Sequence, residues 1–355
     1  MGNSKDDSDK GWLPEVEELR LRESLASQMG GPENLARHRA AGRLNVRERI
    51  DKLLDKGSFH ETGASAGIPT FDGDRLVKLF PANFILGTGR IDNRRVVVGA
   101  DDFTIRGGAA DAAIGRKASY AERMALDLRL PMIRLVDGTG GGGSVKFLEK
   151  MDRTYVPANP AMEIMEQLLS TVPVMSAALG SVAGLGAARV VFSHFSVMPK
   201  KTAQLFVAGP PVVEAAFGQK VDKEELGGSS IHTTGFGAVD NEVASEEEAF
   251  EHIRRFLSYM PNSVYELPPV KEVTDPPDRR EEELIRIIPK NKRHPYSIRR
   301  LLELVLDKDS FFEIGAKHGR SVVAGLARLS GRPVGVMAND PKFYGGAITP
   351  TSALS

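Results

Sequence analysis

The chain contains no cysteine. Disulfides, thiolate nucleophiles and sulfur-ligated metal sites are therefore excluded, and the composition suits a reducing compartment. Charge leans neither way: 47 Lys and Arg against 47 Asp and Glu give a formal net charge of zero. No broad positive field marks a nucleic-acid binder. No apolar run approaches the roughly 18 residues of a membrane span. The opening MGNSKDDSDKGW is polar and acidic, unlike a secretory signal or an Arg-rich transit peptide. Asp6 stands where a myristoylation site takes Ser or Thr. The seven His show neither HxxxH nor HxH spacing, and no carboxylate cluster supports a metal. These absences lead to the expectation of a cytoplasmic protein with no metal, no nucleic-acid partner and no membrane contact.

What is abundant is glycine, 36 residues of it, and a long-range repeat. KLLDKGSFHETG (52–63) and LVLDKDSFFEIG (304–315) share seven of twelve positions. Further on, GTGRIDNRRVVVGADDFTIRGGA (87–109) and GLARLSGRPVGVMANDPKFYGGA (325–347) share ten of 23. The first copy carries a 14-residue insertion within ASAGIPTFDGDRLVKLF (64–80). Each copy reads as a helix, a short Phe-Glu strand, then a hairpin turning at Asp92-Asn93 or Ser330-Gly331 and ending at a Gly pair. The first copy runs on for some 150 residues. The second has eight residues after Ala347, so the second domain is expected to be incomplete.

The remaining pattern alternates helices with short apolar strands. Helices are expected over 13–29, 40–55 (Asn45 as N-cap), 110–130, at the end of 155–171, after Pro210 and over 245–261. Strands are expected at LPMIRLVD (130–137), VPVMSAALG (172–180), FSHFSVM (192–198) and AQLFVAGP (203–210). This predicts an α/β fold with a largely parallel sheet. The division is an N-terminal helical segment (1–30), a first domain (31–261), a Pro- and charge-rich linker (262–286) and the start of a second domain (287–355).

With ionisable candidates scarce, two glycine loops carry the chemistry. GTGGGG (138–143) follows the strand LPMIRLVD, and Gly184-Leu185-Gly186 precedes AARVVF. Backbone amides at such strand-to-helix turns point at a cavity and hold negative charge, either a phosphate or the oxyanion of a thioester enolate. Close helix–strand packing is the alternative reason for either loop. Gly138, Gly140 and Gly143 formally spell GxGxxG, but the next strand lacks the acidic end of a dinucleotide fold. Ser144 fills the Lys position of a P-loop. His194, in an apolar strand, is read as a packed residue. Lys200-Lys201 is read as a solvated pair, with phosphate contact as the alternative.

MGGPENLARHRAAGRLNVRERIDKLLDKGSF, GADDFTIRGGA, FVAGPPVVEAAFGQKVDKEELGG and GRPVGVMANDP together resemble the carboxyltransferase subunit of biotin-dependent acyl-CoA carboxylases, the propionyl-CoA and methylcrotonyl-CoA type, over residues 15–348. The resemblance implies two crotonase-type domains, the first binding acyl-CoA and the second receiving carboxybiotin, with the site between domains of different subunits. It implies biotin on a partner carrier, a biotin carboxylase partner, a coenzyme A thioester as substrate, and a homo-oligomer between dimer and hexamer. The family's Gly-Gly oxyanion pair falls on Gly184 and Leu185, with Gly186 next in the turn; the Leu is a departure. The family's SGGAR-like loop corresponds to 137–146 without its Arg. Coenzyme A contact is assigned to Gly107, Gly108, Gly140, Gly141 and Gly142. The biotin ring supplies the base, so the protein needs only position and oxyanion donors. The alternatives are a biotin-dependent decarboxylase subunit, running the transfer backwards, and an inactive chain that binds acyl-CoA or oligomerises. A stand-alone CoA hydratase would need paired acidic side chains near the turn, and none lies in 180–190.

Overall fold

A computed structural model of the chain describes residues 11–109, 114, 116–138, 161–276, 278–291 and 293–353. Helices α1 (Leu13–Ser27), α2 (Pro32–Ala40) and α3 (Val46–Leu53) lead in. The sequence reading misses α2 and runs one helix from 40 to 55. A capping box explains the later start of α3: Asn45 accepts from the amides of Arg47 and Glu48, while the Glu48 carboxylate takes the Asn45 amide. Val46, Ile50 and Leu53 recur at helical spacing and are buried against the sheet.

The first copy supplies β1 (His60–Glu61), the hairpin β2 (Gly67–Asp72) and β3 (Arg75–Pro81), β4 (Phe84–Ile91) and β5 (Arg94–Asp101). Then come β6 (Met132–Val136), β7 (Val174–Ala178), β8 (Ser181–Ala183), β9 (Phe195–Pro199), β10 (Gln204–Phe206) and β11 (Asn241–Val243). Among the described residues the main sheet runs β1-β4-β5-β6-β7-β9-β11. It is antiparallel through β5 and parallel thereafter. Helices α4 (Lys117–Leu128), α5 (Ala161–Leu169) and α6 (Leu185–Val191) lie in its crossovers, followed by α7 (Pro210–Phe217), α8 (Lys223–Gly227) and α9 (Glu246–Tyr259).

Strands β6, β7 and β9 are buried at every position, as parallel strands covered on both faces must be. Alternation sorts their side chains. Val96, Val98, Ile133, Leu135 and Met175 meet Ile50, Leu53, Phe250 and Ile253 from α3 and α9. Val97, Met132 and Val174 meet Ala121, Ala125 and Leu168 from α4 and α5. β8 and β10 form a separate parallel pair, whose Val182 and Leu205 pack with Val190 of α6.

A short helix α10 (Leu284–Ile287) precedes the second copy, which consists of α11 (Ile298–Val305), β12 (Phe312–Ile314), β13 (Val322–Leu329) and β14 (Arg332–Asn339). The repeat holds at the level of register. Glu61 pairs with Gly87 and Glu313 with Gly325. Ile91 pairs with Arg94 and Leu329 with Arg332. Both hairpins turn through two residues of positive φ, 49° and 63° at Asp92-Asn93 and 49° and 75° at Ser330-Gly331, the geometry that matches strand twist. The Asp55 carboxylate caps the first turn's two amides and Asp307 caps the second's. The inserted residues of the first copy form the β2–β3 hairpin. Among the described residues, no helix is long and apolar enough to cross a membrane.

Candidate active site at the carboxyl ends of the parallel strands

Gly184 is the bend between β8 and α6. Its φ of 59° and ψ of −124° favour glycine. Its N–H donates to the Phe206 carbonyl at 3.1 Å, and its carbonyl accepts from Ala188 to begin the helix. Gly184 is therefore not a free donor, which corrects one member of the expected trio. The amides of Leu185 and Gly186 open α6, where a helix provides no acceptor, and no described backbone carbonyl meets them. Gly186 is buried; Gly184 and Leu185 are half-buried.

Gly107 and Gly108 sit in a left-handed turn after β5, with φ of 61° and 67°. A Cβ on Gly108 would lie 2.6 Å from the Asp137 carbonyl oxygen and 2.9 Å from the Cα of Gly138. One on Gly138 would lie 2.7 Å from the Cα of Gly108. The two segments thus meet backbone to backbone, which only paired glycines permit. Gly138 in turn accepts the Ala183 N–H at 3.2 Å. The 107–108 turn, Gly138 and the 183–186 turn form one continuous patch at the carboxyl ends of the strands, where open α/β sheets bind ligands. Gly140, Gly141 and Gly142 lie outside the described residues.

Beneath this patch lies a charged network that sequence reading missed. Arg49 is 1% exposed and sits on the apolar face of α3. Its Nε donates to Glu246 at 2.6 Å, Nη1 to Asp137 at 2.7 Å and Nη2 to the Leu179 carbonyl at 3.1 Å. Arg43 approaches the other Asp137 oxygen at 3.9 Å, and His38 stands 4.0 Å from the carboxylate. Beyond them, Asp101 accepts the Asp137 N–H at 3.2 Å and faces Arg189 at 3.7 Å. Burial pushes the Asp101 carboxyl above its ordinary value, with Arg189 pulling it back. Acidic groups thus reach the turn from distant segments, each opposite a guanidinium. The one signal in the sequence was Arg49 itself, a charge at an apolar position of helix 46–53.

The other singled-out residues lie elsewhere. The His194 ring accepts the Val174 N–H through Nδ1 at 3.0 Å, a role that anchors the β7–β9 edge. Lys200 pairs with Glu242 at 3.1 Å.

Glycine-lined turns at the carboxyl ends of a parallel sheet, on a scaffold whose opening elements recur, define a crotonase-like α/β fold. The chain belongs to the carboxyl transferase domain family, which matches residues 37–355. It is 32% identical over 339 residues to the propionyl-CoA carboxylase carboxyltransferase subunit of Haloferax mediterranei, covering 94% of this chain and 64% of that protein. It is 31% identical over 351 residues to the mitochondrial propionyl-CoA carboxylase beta chain of Homo sapiens, covering 95% and 62%. The chain therefore spans somewhat under two thirds of the length of these curated relatives. Among solved structures, the transcarboxylase 12S hexamer core with hydrolysed methylmalonyl-coenzyme A bound matches with a TM-score of 0.82 at 24% identity, covering 95% of this chain and 66% of that one. A single-chain long-chain acyl-CoA carboxylase matches at 0.77 and 23% identity, covering 96% and 33%.

Proposed function

We propose that this chain provides the acyl-CoA side of a biotin-dependent carboxyltransferase, with residues 31–261 as the acyl-CoA-binding domain, 262–286 as linker and 287–355 as the beginning of the biotin-facing domain. The observation that carries the reading is the pair of Leu185 and Gly186 amides, which meet no acceptor among the described residues, beside the 107–108 and 138 glycines. A thioester carbonyl docked there gains two donors where negative charge develops as its α-carbon is deprotonated. The donor set suits an oxyanion: neutral, fixed by a helix start, and closed to side chains on the glycine flank. Leu185 keeps its N–H, so its side chain changes the width of the cleft and leaves the donation intact. Gly184 makes the bend, and contact with the coenzyme A arm is assigned to Gly107, Gly108, Gly140, Gly141 and Gly142. Biotin on a partner carrier supplies both the carboxyl group and the base. This chain's residues bind, orient and stabilise. A biotin carboxylase, a biotinylated carrier and further copies of this chain are its partners in the reading.

The test is transfer of labelled bicarbonate to propionyl-CoA by the full-length protein with biotin carboxylase, biotinylated carrier and ATP. Gly184→Pro removes the bend and the Phe206 hydrogen bond and should abolish transfer, a loss of at least about 10³, while His194→Ala should retain it. Wild-type activity in a folded Gly184→Pro protein would sink the site.

A further inference from the structure

The Glu246–Arg49–Asp137 cluster has a control inside the same chain. α11 repeats α3: Arg47 and Arg299 correspond, and both reach a glutamate on the following short strand, Glu61 at 2.8 Å and Glu313. The same alignment sets Leu301 opposite Arg49. Leu301 packs against the apolar cluster of the second copy, so the helix–hairpin architecture does not call for a guanidinium there. Nor does stability explain it, because well-packed apolar residues commonly replace a buried ion pair at no loss. What the first copy has in addition is Asp137, at the end of β6.

We propose that Asp137, held by Arg49, which Glu246 braces in turn, is the positioning residue that sets the Leu185–Gly186 amides against the 107–108 turn and Gly138. Four segments of the site are referenced to this residue. Its Oδ2 takes Arg49. Its Oδ1 lies where a Cβ on Gly180 would come within 1.9 Å, so the stretch leading into β8 and Gly184 is seated on the carboxylate. Its N–H is tied to Asp101 at the end of β5. Its carbonyl oxygen abuts Gly108. Rotating or neutralising the carboxylate therefore moves the strand entering Gly184 relative to the 107–108 turn. A misplacement of about 1 Å costs about 10² in rate. The proposal rests on the reading of Leu185 and Gly186 as oxyanion donors.

Asp137→Asn keeps the shape and removes the charge. Gly180→Ala keeps every charge and pushes the carboxylate aside. Both are made in the full-length protein, with Gly184→Pro alongside, and three quantities are read: transfer turnover, propionyl-CoA affinity by calorimetry, and amide exchange by segment. Both variants should lose about 100-fold in turnover with affinity within threefold of wild type. Exchange should accelerate in 105–109 and 181–187 and stay unchanged in β9 and α9. Turnover within threefold of wild type in either folded variant, with Gly184→Pro dead, overturns the positioning role and leaves the oxyanion reading standing. Exchange rising throughout the sheet, with affinity and turnover falling together, overturns it as well, since Asp137 then only holds the core. An active Gly184→Pro protein removes the underlying reading and the proposal with it.

Discussion

The two copies of the helix–hairpin–turn unit share registers, caps and turn types, yet differ in what they touch. In the first, the left-handed turn at Arg106-Gly107-Gly108 presses on Asp137 and Gly138, and β5 pairs with β6. In the second, the matching turn at Tyr344-Gly345-Gly346 has the same handedness, with φ of 51°, 64° and 80°. There a Cβ on Gly346, the counterpart of Gly108, would find its nearest neighbours in Asn339, Asp340 and Pro341 of its own copy, none closer than 3.1 Å, and Met337 on β14 is 83% exposed. Asp101, which takes the Asp137 N–H, corresponds to Asn339, which instead donates to the Gly346 carbonyl. The backbone conformation is thus a property of the unit, whereas its chemical use depends on neighbours. What persists between copies builds the unit: the Arg–Glu pair, the aspartate under the hairpin and the positive-φ turns. What differs, Arg49 against Leu301 and Asp101 against Asn339, belongs to the site.

Paired substitutions can break that comparison. The largest contrast is at the glycine turn. Gly108→Ala meets both a left-handed backbone and a 2.6 Å clash with the Asp137 carbonyl, and should cost about 3 kcal/mol or more. Gly346→Ala has the same backbone penalty and a milder 3.1 Å contact with Asn339, for about 1–2 kcal/mol. Denaturant midpoints for the two variants would expose a false distinction if they moved equally. Next come the hairpin caps. Asp55→Ala and Asp307→Ala each strip two half-exposed amide bonds and should cost about 1 kcal/mol apiece; unequal values would mean the copies fold with different local stability. Smallest is Ser330→Asn, which places Asn-Gly in a turn built for it and should gain about 0.5 kcal/mol. A thermal melt that falls instead would show that Ser330 holds a contact beyond the turn.

The hairpins and the α/β alternation were legible because their causes are local. Asp92-Asn93 and Ser330-Gly331 advertise positive φ, and the Val-rich strand of the first copy advertises burial. Helix α2 was not legible: PENLARHRA offers little apolar periodicity, and its buried residue is His38. The glycine patch was half legible. Sequence marks Gly107 and Gly108 as the pair that ends a hairpin and Gly184 as part of a strand-to-helix turn, yet only the fold brings them together and shows that the Gly184 N–H is already engaged. The clamp was least legible, since Arg49 stands 88 residues from Asp137 and 197 from Glu246. No local pattern encodes pairs at that distance.

The β2–β3 hairpin shows how tolerant the unit is of added chain. It lengthens one connection by fourteen residues while the strands on either side keep the pairing seen in the shorter copy. Entropy of ring closure grows slowly with length, so an extension of that size costs about 1 kcal/mol. The matching position between the exposed Ala316 and Lys317 is therefore a ready port for an affinity peptide or fluorophore.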